Sequence, residues 1–478
     1  MSVQPPIPAE LWDQIPPAVQ AALLGVFAAL EQRIAQLEEQ NQQLRHQVRD
    51  LREQLNQNST NSSRPPSTDG PAFKRPPPKP KGQRPSGGQH GHPRQMRPLL
   101  PANETHDLRP GACRRCGHAL RGDDPQPLRH QVLEIPPVAP HVTEYRLHRL
   151  PCPCCQTSTC ATLPAHVHGC QGPRLQAATA VLTGEYRLSK RDASQLLEDF
   201  YGVPVACGTV CDLEQQTTQA LQPTVAEATE HVRGQAANVD ETSWRQARQK
   251  AWLWVAATTY LTIYQIHGTR GHKELVELLG EGYGEVVTSD RWSAYKPLPL
   301  HQRQLCWAHL RRDFQAMIDR GQQKLGRKLL RLSDEMFDCW HRVRDGTMSR
   351  KRFRGRVSVW RMQLRALLQR GQGCACAQTA ATCRELLELE PALWTFAFRR
   401  GVEPTNNAAE RAVRHAVRWR KTSYGTASAA GSRFVESILT VVESCRQQGR
   451  NVLDFLTRCC EAWRNQTAPP SLLPQVNS

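Results

Sequence analysis

Residues 235–244 read QAANVDETSW and place an acid, Asp240, in the middle of a stretch with the composition of a β-strand. Two more stretches follow, KAWLWVAATT at 250–259 and LTIYQIHGT at 261–269, and both are rich in strand-forming aromatic and β-branched residues. An amphipathic helix is predicted at 272–279. The strand EVVTSD at 285–290 then ends in a second acid, Asp290, and a further strand is predicted at 303–307.

The order of three strands, a helix and a fourth strand is that of an α/β RNase H-like fold, in which the first and fourth strands are neighbours. Asp240 and Asp290 would then converge. Taken singly, each could be a structural acid, Asp240 in a turn at the start of its strand and Asp290 in a turn before Arg291. Two acids in the expected strands favour a shared site, because burying an unpaired charge is expensive.

A third acid heads a basic helix at 404–421, PTNNAAERAVRHAVRWRK. The helix is predicted to begin at Asn406 or Asn407, and Glu410 lies in its first turn. The face of Glu410 continues through three basic residues, Arg414, Arg418 and Lys421. Such a face suits a divalent cation beside a polyanion. The alternative is a capping box made by Asn407 and Glu410.

Three converging carboxylates provide the hard oxygen ligands that Mg²⁺ prefers. We expect two Mg²⁺ per site, with Mn²⁺ as a possible substitute. A metal pair of this kind activates a water or a 3′-hydroxyl on one side and stabilises the leaving oxygen on the other.

The composition favours a polyanionic partner. The 478 residues carry a formal net charge of +18, spread over many segments, which is typical of a nucleic-acid-binding protein. We expect a cytosolic protein without a membrane span, because the sequence contains neither a long apolar run nor a signal-peptide n-region. The 17 cysteines are therefore better interpreted as metal ligands and buried thiols than as disulfides.

Residues 23–55 keep a heptad register. The d positions are Leu23, Leu30, Leu37, Leu44 and Leu51, and the a positions are Phe27, Ile34, Asn41, Val48 and Leu55. This pattern predicts a coiled coil, most simply a parallel dimer whose register is fixed by Asn41. The alternative is a long amphipathic helix packed on its own protein.

Residues 58–102 are rich in Pro, Ser, Gly and basic residues and poor in acids. Such a segment buries too little apolar surface to offset chain entropy, so we expect a disordered linker. It is either a plain spacer or a basic strap on phosphates.

Two CxxC pairs, Cys113 with Cys116 and Cys152 with Cys155, flank residues 129–150, which are predicted to form a β-hairpin around a proline-rich break. Four thiolates satisfy one structural Zn²⁺ with no open position, so the sequence predicts a zinc-ribbon-like β module. The spacing between the pairs is longer than usual, and Cys154 competes with Cys152 as ligand. The alternative is reduced thiols in a small core.

Residues 172–221 are predicted to form three helices. The second ends near Gly202 and the third begins near 206–209, as in a helix-turn-helix whose Thr209 and Asp212 face the DNA groove. A plain helical bundle with a glycine turn has the same outline.

Four motifs in the second half of the chain, DETSWR at 240–245, SDRWSAY at 289–295, CWAHLRRDF at 306–314 and PTNNAAERAVR at 404–414, resemble those of the DDE transposases of bacterial insertion sequences, of the IS66 type. The resemblance extends to the N-terminal coil, the NSSRPPS stretch and the paired CxxC motifs. It implies an RNase H-like catalytic core, a metal-binding triad of Asp240, Asp290 and Glu410, and an all-α insertion at 310–400.

The chain departs from the family in two places. Members often have Gly-Tyr after the second acid, where this chain has Arg291 and Trp292, and the insertion contains a cysteine cluster, Cys374, Cys376 and Cys383, that leaves a further metal open. His309 and Asp313, four residues apart on one helix, would either assist the metal and phosphate or form a structural pair, and the structural pair is favoured.

The domains predicted are a tail at 1–22, a coil at 23–57, a linker at 58–102, a zinc module at 103–168, a helix-turn-helix region at 169–232, a catalytic domain at 233–463 and a tail at 464–478. The resemblance implies a nucleoid-associated bacterial DNA transposase that binds its element's inverted repeats, cleaves there and joins the 3′-hydroxyl to target DNA. It would act as a dimer or higher oligomer through the coil. The alternatives are an inactive DNA-binding regulator and an RNase H-like nuclease that only hydrolyses.

Overall fold

A computed structural model of the chain describes residues 8–62, 98–165, 167 and 169–474. The predicted linker falls mostly outside these residues, as do the first seven and last four residues of the two predicted tails. The helices are α1 Ala9–Trp12, α2 Pro17–Asn56, α3 Pro173–Ala180, α4 Lys190–Tyr201, α5 Cys207–Arg233, α6 His272–Leu279, α7 Trp307–Asp319, α8 Gln323–Arg344, α9 Arg350–Gln372, α10 Ala377–Glu388, α11 Thr395–Phe398, α12 Asn407–Ser423, α13 Ala429–Gln447 and α14 Val452–Asn465. The strands are β1 Arg149–Pro151, β2 Ser158–Cys160, β3 Ala237–Gln246, β4 Gln249–Ala257, β5 Thr262–His267, β6 Val287–Ser289 and β7 Arg303–Leu305.

Helix α2 carries the heptad repeat, and its apolar stripe is uncovered in the single chain. Leu30, Leu37, Leu44 and Leu51 are each about half exposed. By length and composition alone α2 also qualifies as a candidate membrane span. A single helix of this kind near an N-terminus is weak evidence that a protein spans a membrane. The regular heptad register accounts for the same apolar residues, since a coiled-coil partner would cover them.

Residues 58–62, at the start of the predicted linker, form a hydrogen-bonded turn against α7. The side-chain amide of Asn61 donates to the Asp319 carboxylate over 2.9 Å, and the Asn58 backbone N–H donates to the Asn61 side chain over 2.8 Å. The C-terminal end of α2 is thereby attached to α7.

The cysteine-rich segment differs from the hairpin expected between the two CxxC pairs. Residues 129–148, all of which are described, run as exposed irregular chain, and the short sheet of β1 and β2 instead encloses the second CxxC pair. Three prolines, at 136, 137 and 140, explain the difference, because proline cannot donate to a strand ladder and resists inclusion in a sheet.

Helices α3, α4 and α5 pack around a small core of their own, formed by Leu197, Val205, Val210 and Leu213. Ser189 caps α4 by accepting from the Asp192 backbone N–H, and Gly202 ends it in the left-handed region at φ 64°. The helix boundaries therefore agree with those that the sequence predicts for residues 190–209.

A five-stranded mixed sheet has the strand order β5-β4-β3-β6-β7. The first three strands form an antiparallel meander, and β6 pairs in parallel with both β3 and β7. The chain is thus of the α/β class, with the first and fourth sheet strands side by side as the sequence predicts. Helices α12 and α13 pack on the sheet in one large core.

Helices α8 to α11 lie between β7 and α12 and form a second core with α7. Its centre is aromatic: the Trp340 ring lies 5.0 Å from that of Phe396, and Phe353 lies within 5.8 Å of both Trp360 and Phe396. Glu390 is buried here and accepts hydrogen bonds from Arg361 and Arg365. The segment is therefore a separately packed helical insertion.

The segment after α12 is fixed to the end of β3. The backbone N–H of Thr426 donates to the Arg245 carbonyl over 2.9 Å, and the Ala247 N–H donates to the Thr426 carbonyl. Gly425 has φ +120°, and a Cβ added there would lie 2.1 Å from the Arg245 carbonyl oxygen. Glycine is required at this contact because any side chain would force the two segments apart.

Gly425→Ala is expected to lower the free energy of unfolding of the catalytic region by about 2 kcal/mol or more, because it combines backbone strain with a steric clash. Gly355→Ala is the matched control: it lies within α9 with nothing within 4 Å of an added Cβ, so it should be neutral or stabilise by up to about 1 kcal/mol. Denaturant melts of both variants check this. Equal stability of the two would contradict the proposed role of Gly425.

Candidate active site

The parallel pairing of β3 and β6 brings the first two acids together. Ala237 lies opposite Val287 and Asn238 opposite Thr288. The same register continued by two residues places Asp240 level with Asp290, where β6 has just ended. Both carboxylates are half-buried. Asp240 Oδ1 accepts from the Glu241 backbone N–H over 3.0 Å, and Asp290 Oδ1 accepts from the Trp292 backbone N–H over 2.8 Å.

The third acid is delivered by the N-terminus of α12, which is fixed to β3. The side-chain amide of Asn406 donates over 2.9 Å to the Val239 carbonyl, one residue before Asp240. The backbone N–H of Asn406 also donates to Cys306 Sγ over 3.2 Å. Glu410, one turn into the helix, therefore faces the two aspartates.

The capping box of Asn407 and Glu410, the alternative to a metal-binding role, is not formed at this helix start. Helix α12 has Asn406 at its N-cap position, and the Asn406 side chain binds the strand rather than the helix. Glu410 Oε1 is buried and accepts no hydrogen bond within the described part of the chain. The Glu410 carboxylate is therefore free to act as a ligand.

Asp290 and Glu410 are both close enough to act on the charge of Asp240. Burial raises the pKa of Asp240 well above its usual value, and repulsion from Glu241, Asp290 and Glu410 adds to that rise. Neither Asp240 nor Asp290 is in an ion pair with any residue that the structure describes. Uncompensated carboxylates of this kind gain most from a bound cation.

A fourth side chain, His309 of α7, also reaches this site. His309 Nδ1 lies 3.7 Å from Glu410 Oε1, and ligand atoms of Cys306, His309 and Glu410 all lie within 4.8 Å of one another. Burial lowers the pKa of His309, and so does the positive charge of Arg312. Its Nδ1 is buried without a hydrogen-bond partner.

The donor set fits a hard divalent ion. Burial raises the pKa of the Cys306 thiol to about 11, and its sulfur already accepts a hydrogen bond from the Asn406 backbone N–H, so Cys306 is better explained as a buried structural thiol than as a metal ligand. The oxygens of Asp240, Asp290 and Glu410 remain, with the unpartnered Glu410 Oε1 among them. Oxygen ligands with open positions suit Mg²⁺ or Mn²⁺.

The expected basic stripe of α12 is on the surface, since Arg414, Arg418 and Lys421 are all exposed. Near Arg418 lie Arg187 and Arg446. Burial lowers the pKa of His415 to about 4, and these three arginines contribute to that fall. These arginines therefore lie close enough to His415 to act on its charge, although Arg446 is also paired with Glu185.

The two CxxC pairs fold into turns with the same hydrogen bonds. The backbone N–H of Cys113 donates to the His118 carbonyl, and the Cys113 carbonyl accepts from the Gly117 N–H. In the second turn the Cys152 N–H donates to the Thr157 carbonyl, and the Cys152 carbonyl accepts from the Gln156 N–H. Gly117 and Gln156 have φ 75° and 63°. This equivalence matches Cys152 with Cys113 and Cys155 with Cys116, and so favours Cys152 over Cys154 as a ligand.

Hydrogen bonds favour the thiolate form within each turn. Backbone N–H groups of Cys116 and Arg115 lower the pKa of Cys113, and the hydroxyl and N–H of Thr157 lower the pKa of Cys155. Across residues 98–165, no three of these sulfur atoms lie within 4.8 Å of one another. The structure thus forms the two half-sites and does not bring them together.

The predicted groove-facing residues lie at the start of α5. Thr209 is half-buried and Asp212 is exposed, on the first two turns after the Gly202 turn. Both are therefore at the N-terminal end of α5, the end that a helix-turn-helix would present to the DNA groove.

The sequence predicts a helix start at Asn406 or Asn407, which is confirmed, and favours a structural pair for His309 and Asp313. In the structure Asp313 instead pairs with Arg291 at 2.7 Å, and Arg291 also contacts Glu385. Arg420, which was not singled out, donates to the Ser243 carbonyl over 2.6 Å and holds α12 on β3. Local spacing carries no signal for these contacts, since each joins segments far apart in sequence.

Comparison with known proteins gives two family matches. The Transposase IS66 family matches residues 168–433, which is more than half of the chain, and a family of unknown function, DUF6444, matches residues 14–98. An uncharacterized protein of Sinorhizobium fredii (strain NBRC 101917 / NGR234), y4qI, is 26% identical over 247 residues. That match covers 45% of this chain and 44% of the relative, so the chain spans less than half of the relative's length.

Without divalent cations, Asp240→Asn is expected to raise the thermal stability at neutral pH, because it removes a charge that neighbouring carboxylates repel. The gain should be of order 1 kcal/mol, since one pKa unit corresponds to about 1.4 kcal/mol. Added Mg²⁺ should stabilise the wild type and leave the variant unchanged.

Asp338→Asn, which removes an exposed acid of α8, is the control. It should change neither the thermal stability without cations nor the stabilisation by Mg²⁺. Thermal melts in chelator and in Mg²⁺ measure both effects. A variant that melts below the wild type in chelator would contradict the interpretation.

Proposed function

This chain belongs to the IS66 family of transposases, and we propose that it is a DDE-type enzyme that cleaves DNA at the ends of an insertion sequence and joins the 3′-hydroxyl to target DNA. The observation that carries the proposal is the placement of Glu410 beside two aspartates on neighbouring parallel strands. The strand order is the one expected for an RNase H-like core.

In this proposal Asp240, Asp290 and Glu410 would together hold two Mg²⁺, or Mn²⁺. The bound metals would supply activation of the attacking water or 3′-hydroxyl and stabilisation of the leaving oxygen. The carboxylates hold their places because β3, β6 and α12 are joined by backbone and amide hydrogen bonds. Cleavage and joining are then direct in-line displacements without a covalent protein intermediate.

The exposed basic residues after Glu410 position the DNA. Arg414, Arg418 and Lys421 lie on the surface that leads away from the carboxylates, and phosphate contacts there would fix register rather than read sequence. The field that Arg187 and Arg446 add near Arg418 supports this role.

The modules before the catalytic region would bind and pair the ends. The α4–α5 pair, with Thr209 and Asp212, would contact the terminal repeats. The cysteine module would join it once one structural Zn²⁺ draws Cys113, Cys116, Cys152 and Cys155 together. The uncovered leucine stripe of α2 supports pairing of two protomers, so that two element ends are held in one complex. The working location would be the bacterial nucleoid.

Asp240→Ala, Asp290→Ala and Glu410→Ala are each expected to reduce cleavage and joining by about two orders of magnitude or more, because each removes a metal ligand. The assay uses Mg²⁺, DNA that carries the element ends and a target plasmid, and it scores joined and nicked products separately. Asp338→Asn should retain full activity.

Each result separates the alternatives. A wild type that binds the ends and cuts nothing would favour an inactive regulator, and one that nicks without joining would favour a hydrolytic nuclease. Equal activity of the wild type and Asp240→Ala would contradict the assigned site.

Cys152→Ser is expected to weaken binding to element-end DNA at least about tenfold, whereas Cys154→Ser should leave it unchanged, because only Cys152 is equivalent to Cys113. Loss of one of four ligands typically removes most of the zinc affinity of a structural site, and with it the folding free energy that the zinc supplies. Fluorescence anisotropy measures the affinity, and zinc content is measured on the same samples.

Hydrogen exchange of the catalytic region should be the same in both variants, because the cysteine module has a separate place in the chain. Global loss of protection in Cys152→Ser would contradict that separation, and equal loss of zinc in both variants would contradict the assignment of Cys152.

A further inference from the structure

Trp292 is an aromatic side chain exposed at the edge of the carboxylate site. It follows Asp290 by two residues, and its backbone N–H donates to Asp290 Oδ1 over 2.8 Å. The residue is 39% exposed. Part of the ring surface is therefore open to a binding partner.

The ring is held rigidly from below. The Arg270 guanidinium lies 3.9 Å from the centroid of the Trp292 ring and 4.9 Å from that of Trp252. The Trp292 indole N–H donates to the Arg270 carbonyl over 3.2 Å. Arg270 is thus sandwiched between two tryptophans, and the orientation of Trp292 is fixed by two hydrogen bonds and a cation–π contact.

A buried acid anchors this stack in the sheet. Arg270 donates to Glu241 Oε1 over 2.6 Å, and the Tyr295 hydroxyl donates to Glu241 Oε2 over 2.5 Å. The Glu241 side chain is only 1% exposed. Glu241 follows Asp240 directly, so the support of Trp292 and the first catalytic carboxylate belong to the same strand.

On the basis of the proposed function, we propose that Trp292 is a stacking platform for a nucleobase displaced from the duplex beside the scissile phosphate. A phosphate at the carboxylates would bring its neighbouring base within reach of a ring attached two residues after Asp290. Base–aromatic stacking tolerates any base, because every base has a π-face, so the site would hold the strand without reading its sequence. Trp292 would therefore be a positioning residue.

The test uses element-end duplexes that carry 2-aminopurine at one position at a time around the scissile phosphate. Stacking quenches this fluorophore, whether on neighbouring bases in the duplex or on an indole, and the readout requires binding without catalysis. In complexes with wild type and Trp292→Phe the displaced base should stay quenched, whereas with Trp292→Ala it should lose its stacking partner and its fluorescence should rise. Joining by Trp292→Ala should fall roughly 5- to 100-fold, the range that one stacked base is worth.

Tyr260→Ala, which removes an exposed aromatic of the β4–β5 turn, is the matched control and should behave as the wild type. An abasic site at the quenched position gives a second test that does not depend on the folding of a variant. It should weaken binding by the wild type about tenfold and by Trp292→Ala not further.

Equal quenching by wild type and Trp292→Ala at every position, or an abasic site without effect on the wild type, would overturn the platform. Failure of the wild type to cleave or join would instead count against the proposed function. The two failures are distinguishable because fluorescence reports stacking and the products report chemistry.

Discussion

The side-chain amide of Asn406 is the contact on which the arrangement of the site depends. It is buried and donates to the Val239 carbonyl, and so joins the start of α12 to the strand that carries Asp240. If this acceptor were missing, the buried amide would have lost its hydrogen bonds to water without gaining a replacement, and the folded state would be destabilised by that desolvation penalty. The contact therefore fixes the helix start strongly. The position of Glu410 follows from it, because the glutamate lies one helical turn further on.

The helical insertion is tied to the same site through Arg291. This residue follows Asp290 and pairs with Asp313 of α7 and Glu385 of α10. The backbone N–H of Cys306 donates to the Ser289 carbonyl, so α7 also begins at the end of β6. Although the insertion has its own core, its orientation is set by the strand end that carries the second acid. Arg291, a departure from the family pattern, has a structural explanation.

The residues that would bind a cation at this site are unfavourable for the stability of the fold. Burial and repulsion from neighbouring acids raise the pKa of Asp240, yet neither aspartate is in an ion pair with a residue in the described part of the chain. Glu241, the neighbouring residue, has both Arg270 and Tyr295. One strand thus presents a compensated acid to one face and an uncompensated acid to the other, and only the uncompensated acid remains available to a cation.

The sequence alone determined the strands, the heptad helix and the three acids, because these depend on local periodicity and on residue types that are costly to bury. It failed where contacts join distant segments: the hairpin between the CxxC pairs is absent, Asp313 pairs with Arg291, and the side-chain partner of Asn406 is a strand carbonyl that its own helix does not reveal. Only the tertiary structure decided which acids are left without partners, since a hydrogen bond between residues 239 and 406 leaves no trace in the spacing of either segment.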